Sequence, residues 1–232
     1  MKKIAIITAR GGSKRIPKKN IKEFLGKPII AYSIETAISS DLFDEVMVST
    51  DSEEIANIAK KYSASVPFFR SEKTSNDFAT TTDVLKEVLK KYQDLGKMFD
   101  IACCIYPTAP FITPTKLNDA YKLLKKNNFD SVMPVTTFSF PPLRGMVIED
   151  DKLSFKWPEY SQKRSQDLEK IYHDCGQFYM FKVDKFLETN KLVTDNTGAI
   201  IVDELEVQDI DNATDWKLAE IKYKMMEDNN ED

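Results

Sequence analysis

The chain has 232 residues, 42% of them apolar, 30% charged and 11% aromatic, enough to bury one domain core with an excursion, so it is neither disordered, collagen-like nor a coiled coil. Its 33 bases against 37 acids leave a net charge of −4, which disfavours a general nucleic-acid or anionic-membrane surface but allows a local basic patch. The longest apolar runs, such as 4–7, fall far short of the ~20 residues of a membrane span, and no signal-peptide core is present. A cytoplasmic protein without nucleic-acid or membrane partners is expected.

From the N-terminus the pattern predicts a buried strand at 4–7, a helix over 28–40 and a strand at 45–48. A helix over 51–62 with Ile55, Ile58 and Ala59 on one face follows, then a short third strand at 66–69. Thr80 or Thr81 is placed to cap a helix that stops at Gly96. Residues 101–105 read as a nearly all-apolar strand, 114–126 as a helix and 132–135 as a strand. Strands alternating with helices predict an α/β fold, a mostly parallel twisted sheet flanked by helices on both faces.

Between 138 and 172 the rhythm breaks. Pro141, Pro142, a hairpin around Glu149-Asp150-Asp151-Lys152, and Pro158 mark an inserted arm that leaves the sheet. Its many apolar residues, Phe138, Phe140, Met146, Leu153, Phe155 and Trp157 among them, imply a partner surface. A strand at 177–181, a short helix at 184–189, a strand at 199–202 and an amphipathic helix at 214–226 complete a single domain over 1–232. Residues 227–232 read as a frayed acidic tail.

Three cysteines form neither a disulfide framework nor a paired metal motif, which suits a reducing compartment. The single histidine, His173, leaves little room for histidine-based proton relays. Charge is the better candidate for chemistry. Directly after the first strand stands Ala9-Arg10-Gly11-Gly12-Ser13-Lys14-Arg15-Ile16-Pro17-Lys18-Lys19-Asn20, with five cations and no acid. Glycines let backbone N–H groups approach an oxygen-rich ligand while Arg and Lys neutralise several charges at once, as polyphosphate requires. The spacing matches neither a Walker loop nor a dinucleotide fingerprint; the bland alternative is a solvated basic loop.

Asp209 and Asp211 are two apart, so an extended chain sends both side chains to one face, which suits a single hard cation such as Mg²⁺. A helix N-cap at Asp211 or Asn212 would need only one of them. His173-Asp174-Cys175 in a row is a poor cysteine-hydrolase signature, since those partners meet through the fold. Cys103 and Cys104 read as small core residues.

Three ordered motifs, the basic glycine loop, Pro107-Thr108-Ala109-Pro110 and Gln208-Asp209-Ile210-Asp211, resemble the cytidylyltransferases that activate nine-carbon acidic sugars, the CMP-sialic acid synthetases. Arg164-Ser165-Gln166-Asp167-Leu168 with Tyr172-His173-Asp174-Cys175-Gly176-Gln177-Phe178-Tyr179 is most like the branch specific for pseudaminic acid. The resemblance implies a nucleotide-diphospho-sugar-transferase-like fold, a homodimer joined through the arm, Mg²⁺ dependence, CTP as donor and a nine-carbon acidic sugar as acceptor. It places Arg10, Gly11, Gly12, Ser13, Lys14, Lys19 and Asn20 on the CTP phosphates, and Arg70, Asp77 and Thr80 in the nucleotide-contacting region. It makes Asp209 and Asp211 the metal pair, and puts Tyr106, Arg164, Gln166, Tyr172, His173, Asp174 and Gln177 on the sugar. Arg10, Lys19 and the two aspartates would carry catalysis. Two departures, Tyr106 where the sialic acid enzymes have Gln and Arg164-Ser165 where they have paired Arg, point away from N-acetylneuraminate. Rival readings are the same reaction on N-acetylneuraminic or legionaminic acid, a metal-dependent glycosyltransferase, and a catalytically dead nucleotide-binding module.

Overall fold

A computed structural model describes residues 1–228. In chain order the elements are β1 Lys3–Thr8, β2 Glu23–Phe24, β3 Lys27–Pro28, α1 Ile29–Ser39, β4 Glu45–Ser49, α2 Glu53–Lys61, α3 Glu72–Ser75, α4 Thr81–Asp94 and β5 Ile101–Ile105. Then follow α5 Pro114–Lys126, β6 Ser131–Thr137, β7 Met146–Glu149, β8 Lys152–Phe155, β9 Tyr172–Asp174, β10 Phe178–Lys182, α6 Val183–Thr189, β11 Thr197–Ile201 and α7 Ala213–Asp228.

The main sheet has the order β11-β6-β10-β5-β1-β4, with β9 also paired to β6. β1 is parallel to both β4 and β5, and β6 to β11, while β10 runs antiparallel between β5 and β6. Because β5 and β6 both oppose β10, all the long strands except β10 share one direction, the α/β arrangement expected. Alternation in β1 divides the core: Ala5 and Ile7 pack with Ile34 of α1, Ile55 of α2 and Leu117 of α5. Ile4 and Ile6 pack on the other face with Leu85 and Val88 of α4 and Phe186 of α6.

A third cluster joins Phe24, Ile29, Tyr32 and Phe111 to Ile210 and to Trp216 of α7. It matters for the site because Ile210 is the buried residue between Asp209 and Asp211.

Three expectations are corrected. No strand forms at 66–69: only Ser65 bridges to Met47, and Pro67 has no N–H to extend the ladder. The chain instead turns inward to Arg70, whose N–H donates to the Thr50 carbonyl at 2.8 Å. The helix expected over 214–226 runs from Ala213 through Asp228, and the rest of the expected acidic tail, 229–232, lies outside the described residues. The two-residue ladders β2–β3 and the three-residue β9 are further strands that periodicity did not mark.

The arm is a β7–β8 hairpin whose turn residues Asp150 and Asp151 both have positive φ, 49° and 60°, the twist that a two-residue hairpin turn needs. Among the described residues no helix is long and apolar enough to cross a membrane.

Candidate active site

A cleft of about 890 Å³ opens beyond the C-terminal ends of β1 and β5, where the strand order turns from β5 across to β4 and open α/β sheets hold their ligands. The basic loop forms one wall. Arg10, Ser13, Lys14, Lys19 and Asn20 line it, together with Arg15. Lys18 instead pairs with Glu54 at 2.7 Å, outside the cleft.

The loop is fixed from below. Gly11 N–H donates to Asp51 Oδ1 at 2.8 Å, and a Cβ on Gly11 would stand 3.2 Å from the Ser52 Cβ, so a side chain there would crowd the start of α2. Gly12 meets no such neighbour, and neither glycine is in the cleft lining. Buried Asn20 donates from Nδ2 to the Arg10 carbonyl at 2.8 Å, which makes it a prop for the loop as well as a lining residue.

The cations are not left unpaired. Asp77 accepts from Arg10 at 2.6 Å through one oxygen and from Lys14 through the other. Hydrogen bonds from Lys14 and then Arg10 hold its carboxyl below the ordinary range. Asp77 thus occupies the place on these two cations that phosphate oxygens would take. Lys19 is half-buried, donates to the Ile210 carbonyl at 2.7 Å and stands 4.0 Å from Asp211. Burial lowers its pKa, against the opposing pull of Asp211 and Asp209.

Arg70 enters the cleft from the opposite side, gripping the end of β4 by donating to Ser49 Oγ at 3.2 Å and the Ser49 carbonyl at 2.8 Å. Thr80 does not line the cleft. It caps α4 in a capping box, accepting from Asp83 N–H at 3.2 Å while Asp83 accepts from Thr80 N–H at 3.1 Å. Its neighbour Thr81 does line the cleft.

Across the floor runs a polar chain. Thr81 Oγ1 lies 3.3 Å from Tyr106 Oη, Tyr106 meets Tyr179 edge-on at 5.8 Å between ring centres, and Tyr179 donates to Asp174. Burial, then the Asp174 bond, pushes the Tyr179 hydroxyl far above its ordinary pKa, so it stays a donor. Gly176, at φ +61°, lets its N–H turn back to Asp174 Oδ1 at 2.8 Å. Tyr179 closes the motif that carried the family resemblance but was given no role on the sugar, though period-2 counting along the predicted strand puts it opposite buried Phe178.

The other residues expected on the sugar are not brought to this cleft. Arg164 is 72% exposed in its side chain and holds Asp167 at 2.8 Å. Gln166 lines a separate groove of about 320 Å³ beside the arm. Tyr172 and His173 sit on β9 against β6, His173 stacked 4.7 Å from Phe138 with Nδ1 at 2.9 Å from the Asp174 carbonyl. Gln177 is buried behind the cleft, with 2% exposure.

Asp209 lines the cleft rim, whereas Asp211 does not and is paired with Arg15 at 2.6 Å. Of the two caps the sequence offered, Asp211 or Asn212, the second is the one made: Asn212 Oδ1 accepts from Thr214 and Asp215 N–H groups at the start of α7. Among the described residues no group of three or more His, Cys, Asp or Glu gathers to hold a metal. Asp209 offers a hard oxygen donor at the rim, of the kind Mg²⁺ takes, and Asp211 could join it only on leaving Arg15.

The family profile described as Cytidylyltransferase matches residues 4–190, a span that includes the basic loop, Arg70, Tyr106, Asp174 and Tyr179. A pseudaminic acid cytidylyltransferase of Campylobacter jejuni is 40% identical over 97% of this chain and 97% of its own. A CMP-N,N'-diacetyllegionaminic acid synthase of Legionella pneumophila is 34% identical over 100% of this chain and 99% of its own. A solved CMP:2-keto-3-deoxy-manno-octonic acid synthetase complexed with CTP shares the fold, with a TM-score of 0.69 over 98% of this chain and 100% of that one at 18% identity. With the profile spanning most of its length and a 40% identical relative spanning nearly all of it, the chain belongs to the cytidylyltransferase family.

Proposed function

We propose that this protein transfers the cytidylyl group of CTP to the anomeric hydroxyl of pseudaminic acid, releasing pyrophosphate. The observation that carries the reading is the cleft itself. Four cations of one glycine-bearing loop face an uncharged tyrosine floor, in a chain 40% identical to a pseudaminic acid cytidylyltransferase. The sugar oxygen attacks the α-phosphorus, the bond to the pyrophosphate oxygen breaks in line, and the hydroxyl proton leaves to solvent.

Arg10, Lys14 and Lys19 hold the phosphate oxygens and neutralise the charge that builds on the leaving pyrophosphate. Arg70 faces the nucleotide from the β4 side. Tyr106, Tyr179 and Asp174 present donors and an acceptor to the sugar. Asp209, with Asp211, would hold Mg²⁺, which would supply charge stabilisation at the phosphates. The protein acts in the cytoplasm as a homodimer joined through the arm.

A panel of pseudaminic, legionaminic and N-acetylneuraminic acids with CTP and Mg²⁺, followed by pyrophosphate release, tests the reading. A kcat/KM at least tenfold higher for pseudaminic acid is expected, because an epimer leaves buried polar groups unpaired at about 1–3 kcal/mol each. A preference for legionaminic acid would move the chain to the reading that the Legionella relative favours.

A further inference from the structure

Behind the cleft lies a buried polar group that the proposed chemistry does not use. Gln177, just before β10, donates from Nε2 to the Glu206 carbonyl at 2.7 Å. Its Oε1 is buried with no hydrogen-bond partner among the described residues. Its own backbone carbonyl accepts from Tyr106 N–H at 2.9 Å. One residue therefore touches the cleft floor through its main chain and the Asp209 segment through its side chain.

Glu206 is the last residue of a short turn, Glu204–Glu206, three positions before Asp209. Its carboxylate pairs with Lys116 Nζ at 3.1 Å, and the same ammonium donates to the Phe111 carbonyl at 2.8 Å. Lys222 of α7 donates to the Val207 carbonyl at 2.7 Å and the Glu204 carbonyl at 3.1 Å, and Lys19 holds the Ile210 carbonyl. Of these four tethers, only Gln177 also holds the main chain of Tyr106 on the cleft floor.

We infer that Gln177 is a positioning residue, whose amide, with the Lys116–Glu206 ion pair, sets the height of Asp209 relative to the Tyr106 floor. The inference rests on the reading of Asp209 as the carboxylate that shares a cation with CTP. An unpaired buried acceptor costs stability, so Gln177 holds this arrangement at the expense of the fold. Replacing it by Met, similar in shape but without the amide, removes the orphan and the tether together. A residue serving packing alone would not separate those two effects.

Gln177→Met, Glu206→Gln and Asp209→Asn are compared with wild type by thermal unfolding, by calorimetric CTP binding without divalent ions, and by electron paramagnetic resonance of Mn²⁺ binding with CTP present. For Gln177→Met the expected result is an unfolding midpoint equal to or above wild type, CTP affinity without metal within twofold, and Mn²⁺ affinity at least fivefold weaker. The KM for Mg²⁺ should rise by a similar factor. If Gln177→Met fails to fold, Glu206→Gln carries the test, with Mn²⁺ affinity at least threefold weaker expected. Wild-type Mn²⁺ affinity in the variant that folds, beside a loss in Asp209→Asn, overturns the positioning role and leaves the metal reading standing. Wild-type Mn²⁺ affinity in Asp209→Asn overturns the metal reading itself, and the inference with it.

Discussion

Asp77 holds both Arg10 and Lys14, one oxygen on each, so the triphosphate of the proposed reaction would have to displace it. Asp77→Asn removes the competitor while keeping the shape, and calorimetry without divalent ions should show CTP binding several-fold tighter. Tighter binding would separate this reading from the contact the family resemblance implies, under which the same variant binds CTP more weakly. Arg10→Ala should weaken CTP binding at least tenfold, since a charge-assisted contact contributes about 1.5–3 kcal/mol. At this scale the sequence was legible where chemistry is local. Adjacent glycines amid five bases marked one wall of the cleft, and four of the five bases line it. What it could not convey is pairing at a distance: Asp77 meets residues 67 and 63 positions away. In the same way, only the packed fold turns Gln177 backwards into the core while sending Tyr179, two positions on, into the cleft.

Among the elements, the α3 turn and α4 decide how firmly the Arg70 side of the cleft is held. Glu87 on α4 accepts from Ser71 N–H at 2.8 Å and Ser71 Oγ at 2.6 Å, from Thr74 Oγ1, and from Lys91 at 2.6 Å. Burial alone would raise its pKa, but the bonds from Lys91, Ser71 and Thr74 outweigh it and bring it from 4.5 down to about 2. A carboxylate depressed in the folded state stabilises the fold fully above its unfolded pKa and loses that contribution as pH falls through the folded one. Urea unfolding should therefore show wild type more stable than Glu87→Gln at neutral pH, with the gap closing between pH 4.5 and about 2. A gap that persisted at pH 2 would assign the difference to packing instead. The helix itself was readable, because Thr80 and its capping box are local signals. Strand direction was not: the apolar alternation of β10 is the same whichever way it runs, and its antiparallel insertion depends on the return from the arm. The expected strand at 66–69 failed on one residue, Pro67, whose missing donor outweighed an apolar run.

On the scale of the whole molecule, the arm is the part of the fold that this chain does not bury by itself. Cross-strand register puts Met146 opposite Phe155 and Ile148 opposite Leu153 on one face of the β7–β8 ribbon. Ile148 is 73% and Leu153 63% exposed. A two-stranded ribbon is at best marginally stable alone, and an apolar face of this kind calls for a partner surface. The proposed homodimer supplies one, and it would also account for Arg164 and Gln166 lying away from the cleft of their own chain, Arg164 exposed on Asp167 and Gln166 in the arm's groove. Charges placed on the ribbon face should break the dimer and spare the fold, since the core clusters contain no arm residue. Ile148→Glu with Leu153→Lys is expected to sediment as a monomer with an unfolding midpoint close to that of the wild-type subunit. Its CTP affinity without metal should stay within about twofold, because every cation on the phosphate wall comes from 10–19 of the same chain. A wild type that sediments as a monomer at micromolar concentration would remove the dimer from the reading, and the apolar ribbon would then need a different partner.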